Sequence, residues 1–343
     1  MLDRLRRNRG IAALVALGTI VLVLLPIFAS SYVILLFISV YANVALATAW
    51  AFFSGTTRYI SLATAAFFGV GIYTLAIGHA YLPIPLAVLA AAMIGFLVAV
   101  VVGLSTLRLR GVYFVVFTFG LTELLHQVIN WSEIRNGTVT RFIFTDVSHA
   151  NVYETLLAVA LITVVGSWCV GQTRLGFALR AIGEDETVAR HTGINTTRAK
   201  ILCFAASASV MALVGAVYQL QHNYVDAGTA FNNTWSFQVL IAALLGGPGR
   251  AWGPALGAIL LVLLSEYFSG AFAGSFPIAL GLCFVVIVYF LPGGIAPLVE
   301  RYYQAFDKAR LLHALRTGRL PEGSELASRF RAGLARLNGL RKM

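Results

Sequence analysis

The stretch IPLAVLAAAMIGFLVAVVVGLST, from Ile84 to Thr106, contains no charged residue and is long enough to cross the apolar interior of a bilayer as one helix. Similar apolar runs recur along the first 292 positions of the chain. Hydrophobic residues make up 59% of the sequence and charged residues 11%. This composition indicates a polytopic membrane protein.

We predict about ten membrane-spanning segments, each built around one apolar run. They cover residues 11–29, 32–53, 60–80, 84–106, 112–130, 152–170, 201–221, 233–247, 253–269 and 276–292. In hydrocarbon every backbone amide needs an internal partner, and the alternating pattern of a membrane barrel is absent, so the segments are expected to be helices. The predicted fold class is an all-α polytopic membrane protein. The first segment is too long for the apolar core of a signal peptide, which favours a retained helix.

The positions of the basic residues predict the orientation. If the N-terminus is cytoplasmic and the spans alternate, all Lys and Arg residues except Arg135 and Arg141 lie on the cytoplasmic side. Both termini are therefore predicted to be cytoplasmic. The eighth segment, 233–247, is short, but a re-entrant segment there would move the basic tail outside, so we interpret it as a crossing. The net charge of +11 fits an anionic leaflet and requires no nucleic-acid partner.

The chain is expected to have two regions, a membrane domain over residues 1–299 and a basic tail over residues 300–343. The tail is predicted to form an amphipathic helix on the cytoplasmic leaflet. Within the membrane domain, residues 171–200 form one long polar interruption, GQTRLGFALRAIGEDETVARHTGINTTRAK. Its pattern predicts a short amphipathic helix, an acidic cluster, and a helix stop at Gly193. We interpret this loop as a docking site for a partner, and the alternative is a solvated connector.

Several kinds of site are missing from the sequence. None of the lysines follows a glycine, so the chain has no P-loop and cannot be its own P-loop ATPase. The longest predicted outer loop, 131–151, is too short for a folded ligand-capturing domain. The three cysteines lie in predicted spans without metal-ligand spacing, so neither a disulfide nor a metal site is expected. No catalytic constellation has convincing spacing, and we expect no enzymatic activity.

Four blocks resemble, in the family's order, the LivM-type permeases of branched-chain amino acid ABC importers. They are SGTTRYISLATAAFFGVGIYT (54–74), LRLRGVYFVVFTFGLTELL (107–125), TRLGFALRAIGEDETVARHTGINTTRAK (173–200) and LLGGPGRAWGPALGA (244–258). Ala63 stands where that family commonly has a glycine. The resemblance covers residues 30–292 and implies a multi-pass permease subunit in the bacterial cytoplasmic membrane.

The resemblance also implies partners and a substrate class. The partners would be two ABC ATPase subunits, a second, LivH-like permease chain and an extracytoplasmic substrate-binding protein. ATP and Mg²⁺ would be used by the ATPase, and this chain would bind no cofactor itself. The substrates would be branched-chain or other hydrophobic amino acids, although the family's relatives that move urea and short amides leave an alternative open.

In such permeases the cytoplasmic loop helix sits in a cleft of the ATPase and transmits its closure to the spans. A rigid helix between moving ATPase lobes can couple hydrolysis to a two-state membrane element. The resemblance therefore assigns ATPase coupling to five residues of the loop. They are Arg180, Glu184, Asp185, Glu186 and Gly193.

Glu123 lies near the middle of the fifth predicted span, where a charged group costs roughly 2.5–3.5 kcal/mol on insertion scales. It should therefore face other helices or a water-filled cavity, and His126 extends the polar stripe. One interpretation is that these residues line or brace the translocation path. The alternative is an interhelical hydrogen bond, for instance between Glu123 and Asn43, that stabilises packing alone.

Glycines are densest between Leu245 and Gly257, where Gly246, Gly247, Gly249 and Gly253 predict a broken helix. Unwound backbone there could contact substrate or flex during alternating access. Close packing of two helices around an inner turn is the alternative.

Two other functional classes remain open from the sequence. A proton-coupled secondary transporter could use Glu123 and Glu266 as carriers. A membrane-embedded enzyme could place its chemistry around Glu123 and His126. Neither class needs an acidic cytoplasmic helix docked to a partner, so the loop at 171–200 favours the importer.

Overall fold

The structure is a computed structural model that describes most of the predicted membrane domain. The described residues are 31–271 except 110, 139 and 144–146, with scattered positions in 22–30 and 278–297. The chain divides into a unit of Pro26–Ile295 and a unit that combines Met1–Leu25 with Ala296–Met343. All elements below belong to the first unit. Most of the first and of the last predicted span, and the whole tail at 300–343 that was predicted to be amphipathic, lie outside the described residues.

The described part of the chain is built from helices joined by short connections. They are α1 (Ser31–Trp50), which continues through a π-helical turn at Ala51–Gly55, α2 (Thr64–Gly78), α3 (Ile84–Thr106), α4 (Val112–Arg135), α5 (His149–Gly171), α6 (Arg174–Glu184), α7 (Glu186–His191), α8 (Thr196–Gln219), α9 (Ala227–Ala230), α10 (Thr234–Gly246) and α11 (Gly253–Ala271). Two short strands, β1 (Arg141–Phe142) and β2 (Tyr224–Val225), pair antiparallel.

Each predicted span that falls within the described residues contains a helix. Among those residues, five helices are long and apolar enough to cross a membrane: Ser31–Gly55, α3, α4, α5 and α8. By contrast, α10 has 13 residues, about 20 Å at 1.5 Å per residue, less than the roughly 30 Å of a bilayer core. The structure therefore supports an all-α polytopic membrane protein. The total of ten spans and the orientation of the termini stay predictions.

Helix α8 packs against α1, α2, α3 and α5 and forms the centre of the bundle. Small residues allow this close packing. A Cβ on Gly71 of α2 would overlap the backbone oxygen of Ala212, and one on Gly215 would overlap that of Phe68. On α3, a Cβ on Gly95 would overlap the Cβ of Ala212. The core is thus held by backbone-to-backbone approach, which a purely hydropathic pattern does not reveal.

Residues 58–63, between the π-helical turn and α2, form a non-helical segment, although the third predicted span begins at residue 60. Arg58 has a φ of +59°. Ser61 and Leu62 are buried, and their backbone groups bond to side chains from other elements. These bonds are Trp50 Nε1 to the Ser61 oxygen at 2.7 Å, the Leu62 amide to Thr118 Oγ1 at 3.0 Å, and the Ser236 hydroxyl to the Leu62 oxygen at 2.8 Å. Non-helical backbone at membrane depth is tolerated where protein groups satisfy it in this way.

At the predicted outer end, a buried carboxylate ties three elements together. Glu133 of α4 is 2% exposed and accepts hydrogen bonds from the Tyr73 hydroxyl at 2.9 Å and from Arg141 Nε at 3.1 Å. Arg141 is one of the two basic residues that the orientation places outside. Its pairing with Glu133 gives the charge a structural role in anchoring β1.

Candidate functional site

The polar interruption at 171–200 folds into two short helices, α6 and α7, where the sequence pattern predicted one. In α6 the apolar side chains Leu179 and Ile182 are buried, while Phe177, Arg180 and Glu184 are exposed on the opposite face. The Thr173 hydroxyl caps the helix by accepting the Gly176 amide at 3.4 Å. The predicted amphipathic helix is therefore present.

Asp185 separates the two helices. Its backbone is extended, with φ −154° and ψ 111°, and its Oδ1 accepts the amides of Thr187 at 2.7 Å and Val188 at 3.1 Å. This is an N-cap, which satisfies the otherwise unpaired amides of the first turn. The acidic cluster is thus split between elements, and the Asp185 carboxylate holds the start of α7.

Gly193 ends α7 in a left-handed conformation with φ +87°. Its amide donates to the Arg190 oxygen at 3.1 Å, and the next amide, of Ile194, donates to the Ala189 oxygen at 3.2 Å. These two bonds form a Schellman motif. The helix stop predicted at Gly193 is present, and its contribution to coupling stays a prediction.

Glu186 turns inward and forms a buried ion pair with Lys200. Lys200 Nζ lies 2.9 Å from Glu186 Oε1, and their side chains are 4% and 9% exposed. Lys200 also donates to the Tyr59 hydroxyl and to the Leu107 oxygen, both at 3.1 Å. Tyr59 in turn donates to Glu186 Oε2 at 2.7 Å. We call these four residues the inner clasp.

The inner clasp joins four parts of the chain: α7, α8, the non-helical segment before α2, and the end of α3. Sequence reasoning missed Tyr59 and Lys200. A signal was available for Lys200, because a lysine at the start of an apolar segment must pair or extend to the membrane surface. Nothing in the local sequence predicts that Tyr59 lies beside it.

Helix α6 contacts Thr56, just before the same non-helical segment. A Cβ on Gly183 would overlap the Thr56 oxygen, so glycine is needed for this approach. Arg180, another predicted coupling residue, donates from Nη2 to the Gly171 oxygen at 2.9 Å and lies over the Phe177 ring at 4.6 Å. Glu184 is exposed at the end of α6. The predicted coupling residues therefore divide into exposed Arg180 and Glu184 and structural Asp185, Glu186 and Gly193.

Glu123 lies on the face of α4 that points away from the helix bundle, which we call the outward face. Its side chain is 53% exposed. It accepts a hydrogen bond from Gln127 Nε2 at 2.7 Å and lies 3.6 Å from His126 Nδ1. These partners belong to the same helix. The buried face of α4 carries Phe114, Thr118 and Leu121 instead.

Asn43 lies elsewhere, buried in α1 at 2% exposure, and donates to the Ser39 oxygen at 2.9 Å. The suggested hydrogen bond between Glu123 and Asn43 is therefore wrong, because Glu123 points away from the bundle. Within the described residues, Asn43 Oδ1 has no hydrogen-bond partner. The structure does not bring Asn43 together with Glu123 and His126.

The glycine cluster forms the turn between α10 and α11. Gly247 has a φ of +98°, which ends α10. A Cβ on Gly246 would overlap the Gly253 oxygen, and one on Gly257 would overlap the Ala242 oxygen. By contrast, a Cβ on Gly249 would have no heavy atom of the described residues within 4 Å. The glycines therefore pack two helices closely around a turn, as in the alternative interpretation, and a role of this backbone in substrate contact or alternating access stays a prediction.

Comparisons with known proteins place this geometry in context. The family described as branched-chain amino acid transport system / permease component matches residues 32–291. The LivM permease proteins of the high-affinity branched-chain amino acid transport systems of Salmonella typhimurium and Escherichia coli are each 28% identical over 72% of this chain. This chain spans 65% of the length of each of them. The corresponding protein BraD of Pseudomonas aeruginosa is 30% identical over 38% of this chain and 43% of its own. No solved structure gives a significant match.

Proposed function

Because this chain belongs to the family of branched-chain amino acid transport system permease components, we propose that it is the membrane-spanning permease subunit of an ATP-driven importer. Its substrates are branched-chain or other hydrophobic amino acids. The support for this substrate class is its similarity to LivM permeases of branched-chain amino acid transport systems. ATP and Mg²⁺ bind a separate ATPase subunit, and the protein works in the bacterial cytoplasmic membrane.

The observation that carries the proposal is the exposed face of α6 and α7. Phe177 is 60% exposed and Val188 58% exposed, and Glu184 lies at the surface near them. Large apolar side chains exposed beside charged ones are typical of a surface that docks another protein. A face that contains Glu184 is poorly suited to lipid tails. The occupant we propose is the cleft of the ATPase.

Coupling of ATP hydrolysis to transport also requires that a movement of the exposed face of α6 and α7 is transmitted to the membrane-spanning helices. The inner clasp supplies a short path, since Glu186 of α7 is bonded to Lys200 of α8 and to Tyr59 ahead of α2. Gly183 adds a backbone contact with Thr56. When the ATPase moves α6 and α7, these bonds transmit the displacement to α8 and to the non-helical segment. Interfaces of this kind switch between discrete arrangements because packed cores do not deform continuously.

The outward face of α4 is the surface we assign to the translocation path and to the second, LivH-like permease chain. A charged group at mid-bilayer costs roughly 2.5–3.5 kcal/mol, so the exposed Glu123 should not face lipid. Gly120 lies on the same face, and a Cβ at this position would have no heavy atom of the described residues within 4 Å. A partner helix can approach closely at Gly120 and leave Glu123 in a polar environment.

The assembly then contains this chain, a second permease chain, two ATPase subunits and an extracytoplasmic substrate-binding protein. The test is copurification with the ATPase together with uptake in proteoliposomes. The double variant Phe177→Ala/Glu184→Lys changes two exposed positions and should weaken ATPase association and ATP-dependent uptake. The control Arg198→Glu reverses an exposed charge at the start of α8 and should behave as wild type.

Unchanged association and uptake in the double variant would contradict the proposed docking face. Transport by the purified chain alone, without ATP, would contradict the importer itself. Reversal of Asp185 or Glu186 is a poorer test, because it would break the cap of α7 or the inner clasp as well as any ATPase contact. Placing the substitutions at exposed positions separates docking from folding.

A proton-coupled secondary transporter is the second candidate, favoured by the proximity of His126 and Glu123 on an exposed apolar helix. The two candidates differ in their energy source. An imposed proton gradient would drive uptake by the isolated chain if the carrier were correct, and would not if the importer is. Competition between leucine, urea and acetamide for uptake by the assembled complex decides between amino-acid and amide substrates.

A further inference from the structure

A cavity of about 190 Å³ opens at the end of the bundle that carries α6. Its walls come from the end of α1, the end of α5, α6, and the turn between α10 and α11. The positive-inside pattern predicts that this end is cytoplasmic. The cavity is separate from the inner clasp, none of whose residues lines it.

The side chains that line the cavity favour the binding of an anion. Arg180 and Arg250 both line the cavity, and among its described lining residues there is no Asp or Glu. A guanidinium carries five N–H donors, and Arg180 donates from Nη2 to the Gly171 oxygen. Pro254, in the first turn of α11, also lines the cavity, where the helix dipole favours negative charge.

A buried polar group points to a ligand independently of these charges. Thr48 lines the cavity and is 1% exposed. Within the described residues its hydroxyl has no hydrogen-bond partner, and such a group costs free energy unless it is satisfied. Gln172, just after α5, adds an amide to the lining. A ligand with several oxygens would accept hydrogen bonds from these groups.

The surroundings favour a lipid as the source of that anion. Trp168 of α5 lines the cavity and is 57% exposed. Further along α5, Val165 is 55% and Ile162 71% exposed. This apolar track leads away from the cavity along a helix long enough to span the membrane. Tryptophan at a membrane interface and basic pockets between spanning helices are both known features of lipid-contacting surfaces.

We propose that this cavity binds the phosphate headgroup of an anionic phospholipid from the cytoplasmic leaflet, with the acyl chains lying along α5. Arg180 and Arg250 contact the phosphate, and the Thr48 hydroxyl and Gln172 amide complete the headgroup site. Free inorganic phosphate shares the headgroup chemistry but would gain nothing from the apolar track on α5. The inference requires only that the chain is embedded in a membrane with this end on the cytoplasmic side, so it is independent of the proposed transport function.

The test measures lipid retained by the purified chain in detergent, using native mass spectrometry. Phosphatidylglycerol should be retained in preference to phosphatidylcholine. The double variant Arg180→Gln/Arg250→Gln should lose about tenfold in phosphatidylglycerol affinity, because charge-assisted hydrogen bonds are the strong ones. Arg198→Gln removes an exposed positive charge outside the cavity and should retain the lipid as wild type does.

A conservative pair of variants guards against misfolding. Thr48→Val removes the hydroxyl and should weaken retention, whereas Thr48→Ser keeps the hydroxyl and should preserve it. Equal retention of the two phospholipids, or the same loss in Arg198→Gln as in the double variant, would overturn the proposal. Displacement of phosphatidylglycerol by an equal concentration of inorganic phosphate would also overturn it, since the site would then bind the anion alone.

Discussion

Lys200 Nζ lies 2.9 Å from Glu186 Oε1, and both side chains are nearly inaccessible to solvent. This pair bonds the N-terminal part of the central helix α8 to the short helix α7. Tyr59 donates to the same carboxylate at 2.7 Å. The acidic residue that sequence reasoning assigned to an external partner thus has a partner inside the chain.

Lys200→Met should destabilise the chain by about 3–5 kcal/mol, because it leaves the Glu186 carboxylate buried without its cation. The measurement is the thermal unfolding of the detergent-solubilised protein. Lys200→Met/Glu186→Gln should recover part of the loss, since the unpaired charge is gone.

Arg190→Met is the matched control. Arg190 lies 3.5 Å from the same carboxylate but is 63% exposed, so its loss should cost roughly 0–1 kcal/mol. Equal losses from Lys200→Met and Arg190→Met would contradict the burial of the pair.

Gly257→Ala should destabilise the hairpin of α10 and α11 by about 1–3 kcal/mol, because the new methyl group would overlap the Ala242 oxygen. Gly249→Ala, in the same glycine cluster, meets no described neighbour and should change stability by less than about 0.5 kcal/mol. Thermal unfolding and yield of the two variants can be compared directly. Similar behaviour of both would argue against the close packing at Gly257.

Gly193→Val should cost about 1–2 kcal/mol or more, because a left-handed residue with a Cβ is strained and a β-branched one more so. The expected readout is faster proteolysis within residues 186–200 and weaker ATPase association. Gly193→Asn should be milder, since asparagine tolerates the left-handed region. A variant with valine that resists protease as wild type does would show that the Schellman motif is dispensable.

Glu123→Gln should assemble normally but reduce uptake severalfold, because the amide keeps the hydrogen-bonding capacity and removes the charge from the proposed path. Glu123→Leu should impair assembly with the second permease chain, since it removes the polar group at that face. Glu154→Gln is the control, since Glu154 is exposed on α5, away from the proposed path. Normal uptake in both Glu123 variants would remove this residue from the path.

The fold class and the position of most elements follow from local patterns in the chain. Long apolar runs have few stable conformations in a membrane other than the helix, so the segment 84–106 could be assigned with its observed bounds. The residues that begin and end a short helix also act locally. This explains why the helix stop at Gly193, which has a left-handed conformation, could be predicted from the sequence. The order of the four blocks was enough to identify the permease family.

Only the tertiary structure decided which side chains meet. Glu186 and Lys200 are 14 residues apart, and Tyr59 is 141 residues from Lys200. Contact between these side chains therefore depends on how whole helices pack. The same holds for Glu123, whose position on the outward face of α4 removed the suggested contact with Asn43. Local patterns act through backbone geometry over a few residues, whereas burial and pairing depend on distant elements that approach closely at glycines such as Gly71 and Gly215.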